Sequence, residues 1–285
     1  MKLDIAGHTA YAYTGGKSFD AALPCIVFVH GALNDHSVWI LQSRYLAHHG
    51  FGVLAVDLPG HGRSDGPALE SVDAMRDWLL ALLAAAGVQR AAFVGHSMGS
   101  LVALEAAAAF GEQATQLVMI ATAYPMKVAE ALLKTAQADV DSAIGMVSTF
   151  SHSTLAAKPS SPGPGNWLHG GARALMRQTQ TRHAAAGHDG NLFVTDFRAC
   201  DRYGGGHHAA KRVRCPVRFV LGAKDSMTAA SAAGELARAL RADVVTLPAG
   251  HSLMGEAPDG VLNALTSFIE PRGMHSVPSQ PCKSS

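Results

Sequence analysis

Gly95-His96-Ser97-Met98-Gly99 places a serine between two glycines in the pattern G-x-S-x-G. A chain uses this pattern where a strand turns sharply into a helix and lifts a hydroxyl above the sheet edge. Side chains at the two glycine positions would collide with such a turn. The apolar run Ala91–Val94 precedes it and the helical pattern LVALEAAAAFG follows, which is the context the motif requires. A serine hydroxyl is a poor nucleophile at neutral pH, so it needs a base to accept its proton and a carboxylate to hold that base. Asp225 ends the run VRFVLGAKD, and His251 follows DVVTLPAG. Serine, acid and histidine thus come in that order, each just after a strand-like run. A helix cap would explain Ser97 or Asp225 singly, and a loop histidine His251, but neither reading explains all three together. Asp201 is the next carboxylate to consider.

Acyl transfer also needs two backbone donors for a developing oxyanion. The N–H of Met98, at the positive end of the helix after the serine, is one. The loop His30-Gly31-Ala32 should give the other, with Ala32 first and Leu33 second. The His30 side chain is expected to fix that loop and take no part in chemistry.

The elements that must position these groups alternate along the chain. CIVFVHG, VLAVDLPGHG, AAFVGHS, QLVMIAT, VRFVLGAKD and DVVTLPAGH read as strands, the first and third of them buried, with helical patterns between them; residues 71–87 read as a helix with Ser71 as N-cap and Gly87 as stop. This is the layout of a parallel sheet covered by helices on both faces. From Tyr124 to about Ala210 the rhythm breaks into helical patterns alone: VAEALLKTAQADVDSAIGMVSTF, WLHGGARALMRQTQTRHAAA and NLFVTDFRACDRY. They are separated by SHSTLAAKPSSPGPGN and by GGGHHAAKR, read as a hinge. Residues 1–123 and 211–270 are therefore read as a core and 124–210 as a helical cap. Residues 271–285, rich in Pro and Ser without periodicity, read as a disordered tail.

Composition removes other classes. In 285 residues, 23 Lys plus Arg face 22 Asp plus Glu for a net charge of +1, which argues against a nucleic-acid groove or a polybasic membrane patch. The most apolar stretch, Trp78 to Val88, is too short to cross a bilayer. The N-terminal residues lack the layout of a secretory signal, so a cytoplasmic protein is expected. Cys25, Cys200, Cys215 and Cys282 form no CxxC pair, and the 15 histidines include no HExxH, so no metal site is expected. A dinucleotide site would need glycine where Ser97 stands, so no cofactor is expected.

Taken in order, VFVHGALNDHSVW, VDLPGHGRSDG, GHSMGS, LGAKDSMT and AGHSLMGEAP resemble the oxyanion loop, following loop, nucleophile elbow, acid turn and histidine loop of the α/β-hydrolase superfamily. The resemblance covers about residues 3–270 apart from the cap. It implies an α/β fold with an eight-stranded, mostly parallel sheet. Ser226-Met227-Thr228 stand where the family commonly has an apolar residue and a proline. Members that displace groups at carbon carry aspartate at the elbow, so Ser97 directs the expectation to acyl chemistry on a small or medium, largely apolar carboxylic ester. A serine C–C hydrolase of a vinylogous diketone acid shares the same residues, and would use Arg173, Arg177 or Arg182 for the substrate carboxylate. A slow or non-catalytic ligand-binding receptor is the alternative of another class. The cap, with Phe150 and Trp167 beside its helices, is expected to roof the pocket. The expected partner is a small-molecule acyl substrate; the sequence leaves the oligomeric state open.

Overall fold

A computed structural model describes residues 1–153, 168–188 and 190–269. Eight strands form one sheet: β1 (Lys2–Ile5), β2 (His8–Tyr13), β3 (Cys25–Val29), β4 (Gly52–Asp57), β5 (Ala91–His96), β6 (Ala114–Ile120), β7 (Val217–Gly222) and β8 (Asp243–Leu247). Their spatial order is β1-β2-β4-β3-β5-β6-β7-β8. Only the pairs β1–β2 and β2–β4 are antiparallel. The N-terminal hairpin adds two strands that the sequence reading did not assign.

Every residue of β3, β4 and β5 is buried, as continuous apolar runs in a parallel sheet must be when helices cover both faces. The two-residue period of β3 divides its side chains cleanly. Val27 and Val29 pack with α2 (Val72–Ala85) and α3 (Met98–Phe110), whereas Ile26 and Phe28 pack with Trp39, Leu46 of α1 (Ile40–Ala47) and the C-terminal helices. Helix α2 begins as expected, with the Ser71 hydroxyl accepting the Ala74 N–H at 3.2 Å, and Gly87 beyond its end has φ +73°.

Between β6 and β7 the described residues form only helices: α4 (Glu130–Ala138), α5 (Val140–Ser151), α6 (Leu168–Ala185), α7 (Leu192–Arg202) and α8 (Gly206–Arg212). The pattern VAEALLKTAQADVDSAIGMVSTF is two helices. Asp139, extended at φ −152°, ends the first and caps the second by accepting the Asp141 and Ser142 N–H groups. GGGHHAAKR, expected to be a hinge, is corrected: after Gly204 and Gly205 it forms helix α8. Ala209 and Ala210 are buried in the core, and Arg212 bonds Glu105 of α3 at 3.0 Å, so tertiary packing overrides Gly206 and a histidine pair. Trp167 and the tail 271–285 lie outside the described residues. No helix among the described residues is long and apolar enough to cross a membrane.

After β7 the chain passes through α9 (Gly234–Ala239), β8, α10 (Leu253–Glu256) and α11 (Pro258–Thr266). The sheet thereby brings the segments after β3, β5, β7 and β8 to one edge, where an open parallel sheet presents its ligands.

Candidate functional site

Ser97 sits between β5 and α3 with φ +52° and ψ −120°, a left-handed backbone that costs a non-glycine residue on the order of 1–3 kcal/mol. The flanking glycines make this turn possible. A Cβ on Gly95 would lie 2.1 Å from the Gly99 carbonyl oxygen, and one on Gly99 would lie 2.3 Å from the Val29 carbonyl oxygen. The Ser97 N–H donates to Ile120 O at 2.9 Å, which ties the turn to β6. Met98 opens α3, so its N–H is one of the first-turn donors that no helical carbonyl reaches.

Asp225 and His251 meet at the same edge, with His251 Nδ1 donating to Asp225 Oδ2 at 2.9 Å. The other Asp225 oxygen accepts the Met227 and Thr228 N–H groups, each at 2.8 Å, so the departure Ser226-Met227-Thr228 still makes the acid turn. The Thr228 hydroxyl donates to Asp225 Oδ2 at 2.8 Å and lies 3.1 Å from His251 Nδ1. Burial acts to raise the Asp225 carboxyl. The His251 bond and charge and the Thr228 donors outweigh it and hold the carboxyl below its ordinary value. His96 Nε2 donates to the His251 carbonyl at 2.9 Å, and burial, with His251 as the next cause, pushes the His96 ring down to about 3. Thr228 and His96 were not singled out from sequence; only the position of His96 inside the serine motif pointed to it.

Ser97, Ala32 and His251 line one cavity of about 460 Å³. Its floor is the strand edge. Its walls come mostly from the β6–β7 helices, with Met126, Leu132, Met146, Val147, Phe150 and Met176 among the apolar groups. None of Arg173, Arg177 and Arg182 lines it, and Arg177 Nε instead faces Asp141 at 2.9 Å. Lys127 does line it, but its ammonium donates to the Asp201 carbonyl at 2.8 Å. Asp201, the second-choice acid, lies on α7 and accepts the Val128 N–H at 3.1 Å, away from His251.

Around the loop after β3, His30 bridges as expected. Its Nδ1 donates to Gly31 O at 2.8 Å while its Nε2 accepts the Leu58 N–H at 3.1 Å. Burial and the neighbouring His61 push this ring down to about 4, so it is neutral, in keeping with one donor and one acceptor nitrogen. Further along the same edge Asp35, His36 and Asp57 cluster, all buried. Asp57 Oδ1 accepts both the His36 N–H and its Nδ1–H, and Oδ2 accepts the Arg63 N–H, so the cluster pins the segment after β3 to the loop after β4.

A family model described as "alpha/beta hydrolase fold" matches residues 24–258. The chain is 28% identical over 269 residues to the protein named "Putative carbamate hydrolase RutD" from Escherichia coli O7:K1 (strain IAI39 / ExPEC), covering 88% of this chain and 95% of that one. Among solved structures, the enol-lactonase from Burkholderia xenovorans LB400 superposes with a TM-score of 0.77 at 20% identity, over 94% of this chain and 99% of that one. The esterase EaEST from Exiguobacterium antarcticum gives 0.78 at 16% identity, over 94% and 98%. The sheet order, the family match and the length over which these proteins align agree: the chain belongs to the α/β-hydrolase family and is a hydrolase.

Proposed function

We propose that this hydrolase cleaves small or medium, largely apolar carboxylic esters through an acyl-enzyme on Ser97. The observation that carries this reading is that Ser97 and His251, the latter bonded to Asp225 behind it, line one largely apolar cavity at the strand edge. With Nδ1 held as a donor to Asp225, the neutral His251 ring has its lone pair on Nε2, the nitrogen that takes the serine proton. The Ser97 oxygen then bonds the acyl carbon. The carbonyl oxygen becomes an anion met by the N–H groups of Met98 and Ala32. Protonated His251 returns the proton to the leaving alcohol, and water repeats the sequence to release the acid. Ala32 is favoured over Leu33 because the Leu33 N–H is spent on Asp196 Oδ2 at 2.8 Å, while Ala32 N–H has no protein acceptor among the described residues. A His96 kept neutral beside His251 adds no charge that would oppose the imidazolium.

The β6–β7 helices act as the cap and select the acyl group by apolar contact. The carbonyl of a carbamate, the class in the relatives' name, is open to attack by the same serine, but the largely apolar lining of the 460 Å³ cavity favours a substrate with an apolar acyl group. Among the described residues Lys127 is the one cation of the β6–β7 segment that lines the cavity; its ammonium donates to the Asp201 carbonyl, so a substrate carboxylate would share it with Asp201, and the ring-cleavage substrate is therefore kept in the test below. A p-nitrophenyl acyl series from two to ten carbons, run beside a small carbamate and a ring-cleavage diketone acid, tests the reading. Turnover of esters with a preference for medium chains is expected, lost by about three to six orders of magnitude in Ser97→Ala. Turnover of the carbamate or the diketone acid with no ester cleaved would overturn it.

A further inference from the structure

Ala32, the residue that offers its N–H to the oxyanion in the reading above, stands between two anchored groups. On one side the Gly31 carbonyl is held by His30. On the other, the Leu33 N–H donates to Asp196 Oδ2 at 2.8 Å, and Asp196 belongs to α7, 163 residues away in sequence. Leu33 has φ +58°, a left-handed backbone that leucine seldom adopts and that persists only where its surroundings hold it. Its side chain is fully buried in a cluster with Ile144, Met176, Phe193 and Phe197, so backbone and side chain are both fastened to the β6–β7 helices.

Asp196 is itself held. It is fully buried, and the same Oδ2 accepts His61 Nε2–H at 2.9 Å, while His61 Nδ1 donates to Pro59 O at 3.0 Å. Two acceptors on one ring require both nitrogens to carry protons, so His61 is a cation that offsets the buried carboxylate. His61 comes from the loop after β4. The pair therefore ties the loops after β3 and β4 and helix α7 to one point beside Ala32.

We propose that Asp196 is a positioning residue for the oxyanion site: by holding the Leu33 N–H it fixes the backbone at Ala32 and couples the placement of the cap helices to the donor geometry. This rests on the ester-hydrolase reading above. A donor misplaced by a fraction of an ångström loses much of its transition-state contact while ground-state binding, made by the apolar cavity, is kept. Asp196→Ala should lower kcat for p-nitrophenyl butyrate by about 10- to 100-fold, with KM within about threefold. Asp196→Asn, whose amide oxygen still accepts the Leu33 N–H, should keep kcat within about fivefold, a recovery that loss of general packing would not show. In the unsubstituted protein the Leu33 amide should exchange with solvent far more slowly than open-loop amides, which tests the anchor even if the alanine variant does not fold. An alanine variant with kcat within twofold of the parent, equal losses in Ala and Asn, a change in KM alone, or rapid exchange at Leu33 would overturn the assignment. Ser97→Ala, run in parallel, separates the two failures. Turnover surviving in that variant discards the acyl-enzyme itself, whereas a silent Ser97→Ala beside a fully active Asp196→Ala discards only the positioning role.

Discussion

At the scale of the residue, Asp225 accepts four hydrogen bonds: two from backbone N–H groups, one from Thr228 and one from His251. The first three keep it ionised and aimed whether or not His251 is protonated. Asp225→Asn should keep the fold and lower kcat by about 10⁴-fold, because the amide can hold the imidazole in the wrong tautomer; steady-state kinetics with circular dichroism checks both halves. Thr228→Val removes one donor from a buried carboxylate and should lower kcat by about tenfold with little change in KM. Because the Asp225 carboxyl is held below its ordinary value, it should stay ionised and contribute no ionisation of its own to a kcat/KM profile from about pH 5 to 9. An ionisation in that range that disappears in Asp225→Asn would show that the carboxyl titrates there. Ser97, Asp225 and His251 were legible in the sequence because each directly follows a strand, where position in the chain dictates position in space. Thr228, His96 and Asp196 were not, because their roles are hydrogen bonds between residues that only the finished fold brings together. His96 reaches His251 across 155 positions and Asp196 reaches Leu33 across 163.

At the scale of the element, the turn that exposes Ser97 leaves no room for change on either side. A methyl group on Gly99 would lie 2.3 Å from the Val29 and 2.4 Å from the His30 carbonyl oxygen, both backbone atoms of the strand that leads to Ala32. Gly99→Ala should therefore force β5, α3 and β3 apart, at a cost of at least about 3 kcal/mol, and give little soluble protein. Gly145 in the middle of α5 is the opposite case: a methyl there meets nothing within 4 Å, and its backbone is helical. Gly145→Ala should stabilise the protein by about 0.5–1 kcal/mol in urea unfolding, with activity unchanged. If both substitutions cost the same, the tight elbow is not what constrains Gly99. Strands β3 to β7 could be read from sequence because burial on both faces makes them nearly continuous apolar runs, whereas β8, an edge strand with no buried residue, was legible from the β-branched run Val244-Val245-Thr246. The hairpin β1–β2 could not, since its strands are half exposed, at the sheet edge, and built from LDI and HTAYAY with polar residues between. Helix α8 was hidden for a related reason: Gly204 and Gly205 before it, with Gly206 and two histidines inside it, carry a loop composition, and only Ala209, Ala210 and Arg212 reveal what it packs against.

At the scale of the whole molecule, the buried histidines near the strand edge set how stability varies with pH. Burial, reinforced by neighbouring imidazoles, lowers His30 to about 4 and His96 to about 3 from the ordinary 6.5. Between about pH 6.5 and 4 the unfolded chain thus binds protons at these two sites that the folded protein refuses, and stability must fall as the pH drops. Two such protons correspond to a slope of up to about 2.7 kcal/mol per pH unit. His61 acts in the opposite sense. Burial lowers it, but the charge and hydrogen bond of Asp196 outweigh burial and raise it, so its contribution is complete below pH 6.5 and is lost as pH rises through its folded value. The depressed carboxyls of Asp57 and Asp225 lose their contribution only below their ordinary 3.8, outside this window. Stability should therefore be greatest near about pH 6.5 and fall off steeply on the acid side. Urea unfolding at half-unit steps from pH 8 to 4.5 measures this directly. His96→Gln, whose amide can still donate to the His251 carbonyl, should remove about one proton's worth of the acid slope while leaving the alkaline side as it was. An acid slope unchanged in that variant would mean that His96 is protonated in the folded protein, and its place between β5 and the His251 loop would then need a carboxylate or carbonyl partner for Nδ1, which has none among the described residues.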